Sequence, residues 1–179
     1  MTGVRADHQT LNQPIISKVM FKNASFIHVG LTKGDLTDVI FENCNLSNAR
    51  LTEGVVNRVV FKDCKLVGLD FSGAFLGNVS FEKCELNLSN FTDAKLKQVR
   101  FDQSSIRSAN FYDCKLNKVA FESCDLDDVD FKQTLLKGID ISTCRFNQLN
   151  VSIDHLAGCV VSSEQAIEFS KLLGLKVRD

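Results

Sequence analysis

The sequence predicts an all-β solenoid: a parallel β-helix with four sides of five residues, closed by a short C-terminal α-helix. Three observations carry that prediction. A large apolar residue returns at every fifth position from Phe21 to Val151 without a slip in frame. Residues of the same type return at every twentieth position, as in Phe21, Phe41, Phe61, Phe81, Phe101, Phe121 and Ile141. After Ser162 the period of five gives way to helical spacing.

The period of five is incompatible with both regular alternatives. Steps of five advance about 140° around an α-helix, which would scatter the apolar residues over every side. In a flat strand an odd period alternates faces. A coil of four pentads turns each large residue inward, together with a small residue two positions before it: Ala24, Cys44, Cys64, Cys84, Ser104, Cys124 and Cys144 in one column. The other three residues of each pentad face outward. Stacked at about 4.8 Å per coil, roughly seven coils make a rod about 34 Å long.

The composition fits such a rod. Among 179 residues there are 14 Phe but 1 Tyr, no Trp and 1 Pro, and 12 of the 14 Phe lie in the frame of five. Phe75 and Phe169 lie outside it. A hydrophobic fraction of 44% excludes a disordered chain. The formal net charge of −1 excludes a nucleic-acid binder acting through bulk positive charge. No apolar run approaches the roughly 20 residues that span a bilayer. The first residues carry no secretory apolar segment, so a cytoplasmic location is expected.

Residues 1–10 read as a flexible tail, and residues 11–157 as the β-helix, since Leu11 and Ile16 are in phase. Residues 158–179 read as a cap. Ser162 and Gln165 have capping-box spacing. Ala166, Phe169, Leu172 and Leu173 share a helical face, and Gly174 is suited to end it.

These motifs resemble the pentapeptide-repeat family, whose pentads follow the pattern Ala-Asp/Asn-Leu-x-x. The matches include Ala49-Arg50-Leu51, Ala109-Asn110-Phe111, Cys44-Asn45-Leu46 and Cys124-Asp125-Leu126. The resemblance implies a right-handed quadrilateral β-helix. The segment from Cys159 to Val177 is similar to the C-terminal segment of the Qnr and MfpA subgroup. Members of that subgroup bind DNA gyrase or topoisomerase IV, resemble a DNA duplex in girth and acidity, and lower quinolone sensitivity. By that resemblance the segment joins two rods tail to tail, through Ile167, Phe169, Leu172, Leu173, Leu175 and Val177. A type II topoisomerase is then the expected partner, with no direct contact to nucleic acid or membrane.

No catalytic constellation is legible. His8, His28 and His155 are scattered, and no spacing assigns any of them a partner. All seven Cys fall in the small slot, at 44, 64, 84, 114, 124, 144 and 159, where Ala, Val, Gly and Ser stand elsewhere. They read as reduced lumen filler rather than metal ligands or disulfides. A non-enzymatic protein with no cofactor and no metal is expected.

Sorting the outward residues by side exposes an asymmetry. Between Phe21 and Leu156, the side of Phe21 carries 4 basic and 6 acidic residues, that of Phe26 has 3 and 4, and that of Leu31 has 3 and 5. The side of Leu36 has 6 basic residues (Arg58, Lys95, Lys97, Lys115, Lys118, Lys137) against Asp35 and Asp38. Two candidate surfaces follow. Asp113, Asp125, Asp127, Asp128 and Asp130 form an expected acidic corner for the topoisomerase. Phe75 and Val55, stacked beside Lys95, Lys97 and Lys115, form an alternative patch for another protein.

Overall fold

The computed structural model describes residues 1–178. It is a right-handed quadrilateral parallel β-helix. Five eight-residue strands stack along one half of the rod: β1 (Ile15–Lys22), β2 (Asp35–Glu42), β3 (Val55–Lys62), β4 (Phe75–Glu82) and β5 (Lys95–Asp102). Their register is an offset of one coil, so Leu36 pairs with Val56 and Phe41 with Phe61. In the sixth coil the strand is split into β6 (Lys115–Asn117) and β7 (Ala120–Glu122), both paired with β5. The other two sides are held by isolated parallel bridges such as Asn45↔Lys65 and Arg50↔Asp70, and by β8 (Val129–Asp130) paired with β9 (Leu149–Asn150).

Each corner is made by the residue two positions after the large slot, which takes the left-handed conformation in every pentad from His8 to Gln133. Gly68, Gly73 and Gly138 occupy three more such positions, and Asn and Asp fill many of the others. These residue types tolerate positive φ at least steric cost. The eight-residue strands therefore span two sides and bend at Lys18, Asp38, Arg58, Asn78 and Gln98, with φ between 52° and 59°.

The lumen is a double stack of Phe rings. Phe41, Phe61, Phe81, Phe101 and Phe121 lie nearly parallel at 4.8–5.1 Å. Phe71, Phe91, Phe111 and Phe131 form a second stack, set edge-on to the first, as in Phe101–Phe111 at 5.9 Å and 79°. Both arrangements suit the quadrupoles of the rings. The column of small residues is required because these rings fill the section. Six Cys thiols are buried, and their Sγ atoms donate to backbone carbonyls, Cys64 to Phe41 O at 3.4 Å. Burial raises the Cys114 thiol to about 12 and the Cys159 thiol to about 11, so both stay protonated at neutral pH.

The first ten residues differ from the expected flexible tail. Thr2, Arg5 and Thr10 bridge to Lys22, Ser25 and Gly30, and Val4 packs on the core. Met1 and Ala6 are in the frame of five, so the backbone ladder of the first coil extends to the start of the described chain. At the other end, helix α1 (Ile153–Leu156) lies within the residues assigned to the β-helix, and pairing continues to the bridge Asp140↔Val160. Helix α2 (Ser163–Ser170) has the expected capping box, and Gly174 closes the following 3-10 turn (Lys171–Leu173) at φ 72°.

Candidate protein-interaction surfaces

The acidic corner is built differently from the free cluster that the sequence suggests. Asp125 and Asp127 are buried, and both are neutralised by arginines one coil away. Arg107 reaches Asp125 at 3.3 Å and Asp127 at 2.7 Å, and Arg145 reaches Asp125 at 3.0 Å. The second oxygen of Asp127 accepts the backbone N–H of Asn147 at 2.8 Å and of Gln148 at 3.2 Å. Those backbone bonds, helped by Arg107, hold its carboxyl below the ordinary value of 3.8. Asp128 accepts from Asn150, Gln148 and Ser108, which lower it too.

Asp130 accepts the backbone N–H of Lys132 at 2.8 Å in a tight local turn. Asp113 is exposed at the next corner, between Asp93 and Gln133 in the ladder, and is not brought together with the other four. Asp125 and Asp127 thus fasten the sixth coil to its neighbours, and the outward charge remains on Asp128, Asp130 and Asp113. Arg107 and Arg145 stand 20 residues from Asp127 and Asp125, so the repeat itself carried the signal for this pairing.

On the basic side Phe75 and Val55 are register partners, as expected, and Lys95 follows Phe75. Phe75 is 37% exposed, and its ring lies over Gly77. A Cβ placed on Gly77 would meet Cε1 of that ring at 2.9 Å. The charge on this side is segregated along the rod. Asp38 is tied to Arg58 at 2.6 Å, and Asp35 receives the Thr37 hydroxyl. Lys95, Lys97, Lys115, Lys118 and Lys137 lie in coils five to seven, with no ion pair among the described residues.

At the C-terminus Ile167, Leu172, Leu173, Leu175 and Val177 are exposed. Phe169 is half-buried against Phe146, with ring centroids 5.6 Å apart, and so belongs in part to the cap. An apolar groove of about 290 Å³ runs between α1 and α2, lined by Ile153, Leu156, Val161, Phe169 and Leu173. Gln165 has a role that its capping-box spacing does not reveal. Its Oε1 accepts the Ser162 N–H, and its Nε2 donates to Ile141 O at 2.9 Å and Cys144 O at 2.8 Å. It thereby satisfies carbonyls at the end of the solenoid.

His8 and His28, one coil apart, stack at 5.2 Å, a pairing that their spacing of 20 encodes. No group of three or more metal-ligating side chains occurs among the described residues. No helix is long and apolar enough to cross a membrane.

Comparison with known proteins agrees with the architecture. No curated protein sequence matches the chain. Two solved structures of trypsin-treated QnrB1, described as a plasmid-mediated fluoroquinolone resistance protein, are similar to it with TM-scores of 0.60 and 0.59. In both, the identity is 14% and the match covers 99% of each chain. The profile of the pentapeptide repeat region matches residues 34–111 and 55–131, together more than half of the sequence. With its unbroken frame of five and its four-sided stack of coils, the chain belongs to the pentapeptide-repeat family.

Proposed function

We propose that this protein is a non-enzymatic binding protein that occupies the DNA-binding saddle of a type II topoisomerase, in the cytoplasm, and lowers sensitivity to quinolones. The observation that carries the reading is the likeness in fold to QnrB1 over 99% of both chains, C-terminal cap included. Electrostatics supports it. Three sides of the rod are net acidic, and carboxylates presented along a rod can take the place of phosphates against a basic saddle. Asp128, Asp130 and Asp113 are the carboxylates of the expected cluster that make such contacts in this proposal. Asp125 and Asp127, paired with Arg107 and Arg145, keep that corner rigid. The basic side faces away from the saddle in this arrangement. Two rods join tail to tail through Ile167, Leu172, Leu173, Leu175 and Val177, which doubles the length of the rod.

A DNA gyrase supercoiling reaction inhibited by a quinolone tests the function. Added protein should restore supercoiling in a dose-dependent manner, and Asp128→Lys with Asp130→Lys should weaken that rescue. Absence of any rescue across the soluble concentration range would refute the proposal.

A further inference from the structure

On two sides of the rod the sixth and seventh coils are zipped together. Phe131 N–H donates to Asn150 O at 2.8 Å, Leu126 N–H to Arg145 O at 2.9 Å, and Arg145 N–H to Cys124 O at 3.0 Å. On the strand-bearing sides the zip is open. No backbone hydrogen bond joins residues 115–122 to residues 135–142, although β1 to β5 are paired coil by coil at the equivalent positions. The seventh coil turns instead to the C-terminal segment. Leu136 N–H donates to His155 O, Gly138 N–H to Gly158 O and Ile141 N–H to Val160 O, at 2.8–2.9 Å. Among the described residues β6 and β7 therefore have no backbone partner in the seventh coil, and only the Cys144 thiol reaches across, to Phe121 O at 3.5 Å.

Two further features mark this seam. Leu116 is partly exposed, whereas its column neighbours Leu36, Val56, Leu76 and Leu96 are at most 1% exposed. The Lys115 N–H points back to Ala94 O at 3.0 Å, so alternation along the strand aims the Leu116 N–H into the seam. Around it stand Lys95, Lys97, Lys115 and Lys118 on one side and Lys137 on the other, all exposed. The two acids of this side, Asp35 and Asp38, lie near the opposite end of the rod.

We propose that the seam is a docking site for an extended acidic segment of a protein partner. The segment adds backbone hydrogen bonds to the β6–β7 edge and sets its carboxylates among the five lysines. The lysines alone would attract any polyanion. The unpaired edge selects a peptide, because an extended backbone carries donors and acceptors at the repeat of the strand and a nucleic acid does not. The site lies on the basic side and does not rest on the topoisomerase reading.

The test uses the full chain and a fluorescein-labelled peptide alternating Glu with Val, read by fluorescence anisotropy and by amide hydrogen exchange. Saturable binding that weakens with salt is expected, with slowed exchange confined to residues 115–122. Lys115→Glu with Lys118→Glu should weaken binding by roughly tenfold or more, since like charges then face each other. Both side chains are exposed, so the double variant should keep its thermal melt, and Lys33→Glu on an acidic side should bind as the parent does. Absence of binding, binding unchanged in the double variant, or a short DNA duplex protecting the same amides as well as the peptide does would overturn the proposal.

Discussion

Leu88 stands at a left-handed corner with φ 61°, the position that Gly68 fills one coil earlier. Its side chain is exposed, so it returns little burial for a conformation that costs about 1–2 kcal/mol in an L-residue. Leu88→Gly should stabilise the rod by about 1 kcal/mol after the entropy of the new glycine is counted, read as a melting rise of about 2–4 °C. The next residue tests the lumen. Ser89 is buried and its hydroxyl has no hydrogen-bond partner among the described residues, while Ala49 and Ala109 fill the same column. Ser89→Ala should raise stability by about 1 kcal/mol in urea unfolding. Asp128 tests the acidic corner. Because Asn150, Gln148 and Ser108 depress its folded pKa below 3.8, its contribution is complete above that value and is lost as pH falls through the folded one. Asp128→Asn should flatten the acid limb of a stability–pH curve and leave its slope near neutrality unchanged.

At the scale of the element, Gln165 joins α2 to the last coil by bonds at both ends of its amide. Gln165→Glu separates the two roles, because a carboxylate still accepts the Ser162 N–H but cannot donate to Ile141 O and Cys144 O. It should cost about 2 kcal/mol or more, with faster hydrogen exchange in residues 141–146 and unchanged exchange in β2 to β4. How far each element was legible follows from the same physics. The strands, the lumen and the capping box were readable because each repeats a side-chain requirement at fixed spacing. The open seam beside β6 and β7 was not, because the frame of five runs through Leu136 and Ile141 unbroken while only the backbone parts company. The pairing in the acidic corner is hidden for a related reason. Five carboxylates lie close in side and height, but their partners Arg107 and Arg145 stand one coil away. The polar content of the first ten residues hides Met1, Val4 and Ala6 in phase.

For the whole molecule, near-zero net charge is a sum over surfaces of opposite sign. Five lysines gather on one side of coils five to seven, and most of the outward acids lie on the other three. The C-terminal apolar surface gives a test of assembly. Leu173 is 62% exposed, whereas Phe169 is packed on Phe146, so Leu173→Arg would disturb the proposed tail-to-tail interface without opening the cap. Light scattering should report twice the chain mass for the parent and the single mass for Leu173→Arg; a parent of single mass would rule out tail-to-tail joining. The topoisomerase reading is tested most directly by titrating this protein against immobilised DNA gyrase in the presence and absence of duplex DNA. A rod that stands in for DNA should bind saturably, and the duplex should displace it in proportion to its concentration. Failure to bind, or binding that the duplex leaves untouched, would contradict the account.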